Sequence, residues 1–341
     1  MTTNQHTTCI NNPEKLQRYE VLDTCRTLAI VLIILHHTTA WGGYLPGFQT
    51  DHNILFLPIF TFFFLSGFFY KRGNFLNCIK KYVIPYLIWC CFYGILKIFL
   101  PHSGILEDFP PYFIEFIPWV LSGLGITSIV PQFQVNFWFV KYLILMIVIA
   151  WFVRPNTWRK QIFFILPLLC LIIYSPQFSE IFQGDKILQY KAIIGFIFFL
   201  AGIYFGLNKS GFINRLNKWT LFWLILSGLG FYLTALAGQI CATRNFFAQF
   251  NSIVFLLVLS SFLKQYLPSF SLFLSKLGKL AFLAYAIHPL FIHIIRQGFP
   301  LHIFEYIAWT IPIITFIAAW LMDAVIRRWT PSLLPALCMS K

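Results

Sequence analysis

The sequence predicts an all-α polytopic integral membrane protein of about ten transmembrane helices, with N- and C-termini cytoplasmic. Composition, the lengths of the apolar runs and the placement of basic residues predict it together. Of 341 residues, 59% are hydrophobic, 20% are aromatic and 11% are charged. A soluble domain carries roughly 25% charged residues, so this chain lacks the polar material to cover a water-facing surface. Its 41 Phe suit lipid-facing positions, and its 11 Trp and 15 Tyr suit the two interfaces.

Runs long enough to cross a bilayer need roughly 17–25 apolar residues. They fall at about 21–43, 52–70, 82–100, 136–153, 160–176, 189–207, 219–238, 246–266, 279–296 and 303–325. The stretch 112–130 is apolar but interrupted by Pro118 and several Gly, and reads as interfacial or re-entrant. Lys15 and Arg18 precede the first span, and Lys or Arg then cluster in every second loop: Lys71 to Lys81, Arg154 to Lys160, Lys209 to Lys218, Lys264 to Lys279, and Arg327 onward. Of the loops between, 44–51 and 101–135 carry none, and the opposite side receives Lys186, Lys191, Arg244 and Arg296. This alternation obeys the positive-inside rule and places both ends in the cytoplasm.

One membrane domain, 21–330, is therefore expected between an N-terminal tail, 1–20, and a C-terminal tail, 331–341. No internal repeat is visible, and no cleavable signal peptide is expected, because the first twenty residues are polar. The net charge of +14 follows from the topology, so no nucleic-acid partner is implied. Membrane lipid is the expected surrounding. The eight Cys lie mostly in apolar runs, as Cys90, Cys91 and Cys170 do, without ligand spacing, so neither a metal site nor a disulfide framework is indicated.

Ionisable residues inside spans are costly and mark functional positions. The first span holds Asp23, Arg26 and His37. Asp23 and Arg26 are three residues apart and share a helix face. Arg26 and His37 are eleven apart, close to three full turns, so all three form one stripe. His36 points about 100° away from His37. The blander reading is an ion pair at a helix end and a packed histidine. In the second span, Ser66 and Gly67 would let another backbone approach closely.

These segments resemble the membrane acyltransferase-3 family. The resemblance rests on Arg26 and His37, which match that family's pattern of Arg, ten residues, then His. It extends through Leu22-Asp23, Phe64-Leu65-Ser66-Gly67-Phe68, Lys80-Lys81-Tyr82 with Pro85-Tyr86, Phe137-Trp138-Phe139 and Tyr285-Ala286-Ile287-His288. Thr24-Cys25 departs from the Gly-containing pair common between the Asp and the Arg, and His36 beside His37 is a second departure.

The family O-acetylates sugars of bacterial surface polysaccharides and related molecules. The resemblance therefore implies a bacterial plasma (inner) membrane enzyme. It would move an acyl group, acetyl in the first instance, from cytoplasmic acyl-CoA to a hydroxyl of a carbohydrate or glycan acceptor. In that reading acetyl-CoA is the donor, no metal is needed and His37 is the base. Arg26 would bind a donor phosphate or the developing oxyanion, oriented by Asp23. Lys71, Arg72, Lys80 and Lys81 would form a basic rim for the nucleotide phosphates, and Ser66 would join them in binding the donor. Trp138, His288 and His36 would meet the substrate. A transporter or flippase for a small solute or lipid-linked sugar is the alternative. Such proteins often show paired repeats with broken helices, and the sequence displays none.

Overall fold

A computed structural model describes residues 13–42, 58–71, 75–99, 138–153, 186–236 and 242–331. Every regular element among them is helical. In order they are α1 (Pro13–Gly42), α2 (Ile59–Phe68), α3 (Phe75–Phe99), α4 (Trp138–Val153), α5 (Lys186–Leu207), α6 (Lys209–Lys218), α7 (Thr220–Leu236), α8 (Ala242–Tyr266), α9 (Pro268–Gly278), α10 (Ala281–Gly298), α11 (Leu301–Ile307) and α12 (Ile311–Trp329).

Two of these helices are long and apolar enough to cross a membrane alone, over Glu20–Thr38 and Ala308–Trp329. Two further pairs qualify when each is taken as one bent span: α5 with α6, bent by 96°, and α9 with α10, bent by 74°. The expected span at 160–176 and the segment 112–130 lie outside the described residues. The expected run 303–325 is divided: α11 ends at Ile307, a 3-10 turn covers Ala308–Thr310, and α12 starts afresh. Pro312 stands in the first turn of α12, where its missing N–H costs nothing, whereas within a continuous helix it would break the hydrogen-bond ladder.

The bends are the feature that the sequence did not show as broken helices. At the first, α6 is amphipathic: Ile213 and Leu216 are buried, with the partly buried Lys209 on their side of the helix, while Arg215 and Lys218 stand exposed on the other. The Asn208 side chain accepts a hydrogen bond from the Gly211 N–H and caps it. Such a helix suits the interface plane rather than the hydrocarbon core. At the second, Lys279 and Leu280 separate α9 from α10.

Close packing around α1 and α2 organises the rest. A Cβ at Gly67 would overlap the Phe199 carbonyl, and one at Gly202 would overlap the Phe64 carbonyl. Only glycine permits α2 and α5 to lie this near, as the Ser66-Gly67 pair suggested. Small residues matter here because lipid tails are as apolar as leucine, so helix association depends on contact rather than on expelled water. Exposed Leu221, Phe222, Ile225 and Leu229 on α7, and Ile313, Ile317, Leu321 and Val325 on α12, mark the lipid-facing sides.

Candidate functional site

The stripe on α1 is held at both ends by the bent α9–α10 pair. At the lower end, Arg26 donates from Nη1 to Asp23 Oδ1 at 2.5 Å, and both side chains are largely shielded from solvent. A Cβ on Gly278, the last residue of α9, would overlap the Asp23 carbonyl. Thr24 Oγ1 donates to the Ser271 carbonyl at 3.0 Å and Thr27 Oγ1 to the Leu274 carbonyl at 2.6 Å. These buried hydroxyls satisfy themselves on the neighbouring backbone and fix the register of α1 against α9.

At the upper end, the half-buried His37 meets the fully buried His288 of α10, ring centroids 5.2 Å apart. His36, also half-buried, has its ring 5.6 Å from that of His37. Local chemistry orients His288. Pro289 follows it and has no N–H, so the Tyr285 carbonyl, four residues before the proline, lacks its usual helical donor. His288 Nδ1 lies 2.6 Å from that carbonyl. A carbonyl only accepts, so Nδ1 carries the hydrogen, and in a neutral ring Nε2 is the accepting nitrogen.

An aromatic wall surrounds this pair. Tyr285 stands 5.6 Å from His288 and 6.0 Å from Phe139, which packs on Phe63 at 4.6 Å. From α3, the Tyr93 hydroxyl donates to the Ala286 carbonyl at 2.5 Å. α10 is thereby held between α1 and α3.

A second gathering of charge lies beside the Asp23–Arg26 end. The Arg26 guanidinium carbon sits 4.6 Å from the centroid of Phe69, just past the end of α2. The Lys209 ammonium is 5.4 Å from the same ring and 5.5 Å from Phe68. Lys209 lies beyond the apolar run of α5, at the start of α6. Burial, and then the charge of Lys71, push its pKa below the ordinary lysine value.

The structure thus brings together Asp23 with Arg26, and His36, His37 with His288. Ser66 is half-buried on α2. Lys71 and Lys80 are exposed. Arg72 lies outside the described residues, as do the side chains of Lys81 and Trp138, although Trp138 opens α4 directly before Phe139. Sequence reasoning did not single out Lys209 or Phe69. Lys209 stood there as one of several basic loop residues, and Phe69 as one aromatic among many; the 96° bend is what joins them.

Titratable groups gathered inside an apolar helical bundle define a helical integral membrane protein with a polar centre between its helices. The acyltransferase-3 family model, an acyltransferase domain, matches residues 19–325, and the chain belongs to that family. The protein is a membrane acyltransferase. Comparisons with curated proteins and with solved structures gave no match.

Proposed function

We propose that the protein transfers an acyl group, acetyl in the first instance, from cytoplasmic acyl-CoA to a hydroxyl of a cell-envelope sugar or glycan. The site would lie within a ten-span bundle in a bacterial plasma membrane, both termini cytoplasmic. The observation that carries this reading is the His37–His288 contact at one end of a stripe whose other end is the Asp23–Arg26 pair.

Distance separates the roles. Eleven residues of helix put His37 roughly 16 Å from Arg26 along the axis. A donor for an oxyanion must sit within hydrogen-bond reach of the reacting carbon, so Arg26 cannot serve chemistry at His37. It is suited instead to a phosphate of the donor, while the long pantetheine arm carries the thioester along α1 to the histidines. Asp23 holds the guanidinium in place.

His37 removes the proton from the acceptor hydroxyl. The oxygen attacks the thioester carbonyl, the C–S bond breaks, and the proton held by His37 passes to the departing thiolate to give free CoA. His288, hydrogen on Nδ1, would offer Nε2 as acceptor to the second nitrogen of His37 once the two rings, 5.2 Å apart here, close on bound substrate, and would so fix the tautomer in which His37 is a base. Phe139, Tyr285 and Tyr93 exclude water, which would otherwise hydrolyse the thioester.

The test is thioester consumption. Wild type and His37→Ala are reconstituted in lipid with acetyl-CoA, with and without glycan acceptors, and free CoA is followed. Release by wild type alone supports the reading. Silence from both with every acceptor overturns it and favours the transporter alternative. The two bends are the one observation on the transporter's side, but they differ in angle and place and show no repeat.

A further inference from the structure

We infer that Lys209 and Phe69, with Arg26, form the seat for the phosphates of the acyl donor, and that α6 serves to carry Lys209 there. The inference rests on the acyl-CoA reading and names the residues that grip the donor's nucleotide end.

The argument begins with charge. Arg26 and Lys209 lie against one ring, Phe69, and Lys71 follows two residues after it. Among the described residues the carboxylates at this end of α1 are Asp23, which Arg26 already holds, and Glu20, which lies 4.0 Å from Lys264. Lys209 makes no ion pair among the described residues, and neither does Lys71. A ring that attracts cations offsets only part of their mutual repulsion and adds no negative charge. A multiply charged phosphate ester neutralises the excess directly. It is also the group that paired guanidinium donors and a mobile ammonium bind best.

Placement supports the same conclusion. Lys209 is not at the lipid-facing side of α5; it follows the bend, where Asn208 caps α6 and Phe212 packs on Phe64 and Phe68. Gly206 lies so close to the Phe68 carbonyl that a Cβ there would stand 2.5 Å from it. The backbone on either side of Lys209 is thus packed against the end of α2. Its ammonium is carried on a rigid base and shares the Phe69 ring with Arg26, which lies three turns of α1 from His37, as a phosphate grip at the far end of the donor would require.

The experiment compares donors with and without phosphates. Wild type, Lys209→Gln and Lys209→Arg are reconstituted in neutral phosphatidylcholine, and thiol release is measured from acetyl-CoA and from S-acetyl-pantetheine. Lys209→Gln should shrink the KM advantage of acetyl-CoA over S-acetyl-pantetheine roughly tenfold, as expected for one charged hydrogen bond. Lys209→Arg should restore most of it.

In parallel, binding of adenosine 3′,5′-diphosphate, which has phosphates but no thioester, should weaken by a similar factor in Lys209→Gln. An unchanged KM ratio with unchanged nucleotide binding overturns the seat while leaving the acyltransfer reading intact. An effect that appears only after phosphatidylglycerol is added would assign Lys209 to a lipid headgroup and overturn it too. Wild type that releases thiol from neither donor with every glycan acceptor present overturns the acyl-CoA reading, and the seat falls with it.

Discussion

The ring of His288 lies 5.2 Å from that of His37, although 251 positions separate them in the chain. If His37 is the base and His288 orients it, the two substitutions should differ in kind. His37→Ala should abolish CoA release. His288→Asn keeps a donor near the Tyr285 carbonyl but loses the imidazole acceptor, and should lower kcat about 100-fold, within the range for general acid–base effects. Both should insert and extract like wild type. Equal kcat in His288→Asn and wild type would remove His288 from the mechanism.

The Asp23–Arg26 pair predicts a non-additive series. Asp23 is proposed to act only through Arg26, which it touches at 2.5 Å. Arg26→Gln should raise the KM for acetyl-CoA strongly, and Asp23→Asn more weakly. The double variant should be no worse than Arg26→Gln alone, because the second change removes the partner of a group already gone. Additive KM effects would show that Asp23 has its own contact with donor or protein.

Glycine at 278 makes a stability prediction. A Cβ there would overlap the Asp23 carbonyl, so Gly278→Ala must push α9 away from α1. Overpacking of this sort costs about 1–3 kcal/mol. Thermal unfolding in detergent should register that loss, accompanied by a raised donor KM as the Asp23–Arg26 pair shifts. Gly228, on the exposed side of α7, is the control, because a Cβ added there would meet nothing within 4 Å. Gly228→Ala should be neutral or stabilising by up to about 1 kcal/mol, from helix propensity alone.

What the sequence disclosed and what it hid divide along one physical line. The stripe of Asp23, Arg26 and His37 was legible because it lies on one helix and obeys a 3.6-residue period. So was the close packing at Gly67, since a small residue in an apolar run has few other uses. The facing of His37 and His288 was not legible: it depends on the 74° turn between α9 and α10, and no local pattern states an angle. Lys209 was hidden for the same reason, because in sequence it belongs to a loop charge cluster and only the 96° bend carries it to Phe69. Splitting of the last expected span at Ala308–Thr310 could have been anticipated, since Pro312 marks a helix start better than a helix middle.

Pro289 offers the sharpest separation of function from stability. Its missing N–H leaves the Tyr285 carbonyl to His288 Nδ1, at 2.6 Å, and thereby sets which nitrogen of His288 accepts. Pro289→Ala returns an N–H that competes for that carbonyl through the ordinary helical bond. The helix gains a hydrogen bond, so melting temperature should hold or rise. The histidine, no longer compelled to keep its hydrogen on Nδ1, should present the productive tautomer for only part of the time. The expected result is a lower kcat with an unchanged donor KM, since Arg26 and Lys209 lie at the other end of the stripe. A fall in stability with kcat preserved would instead make Pro289 a packing residue and leave the tautomer of His288 set by something else.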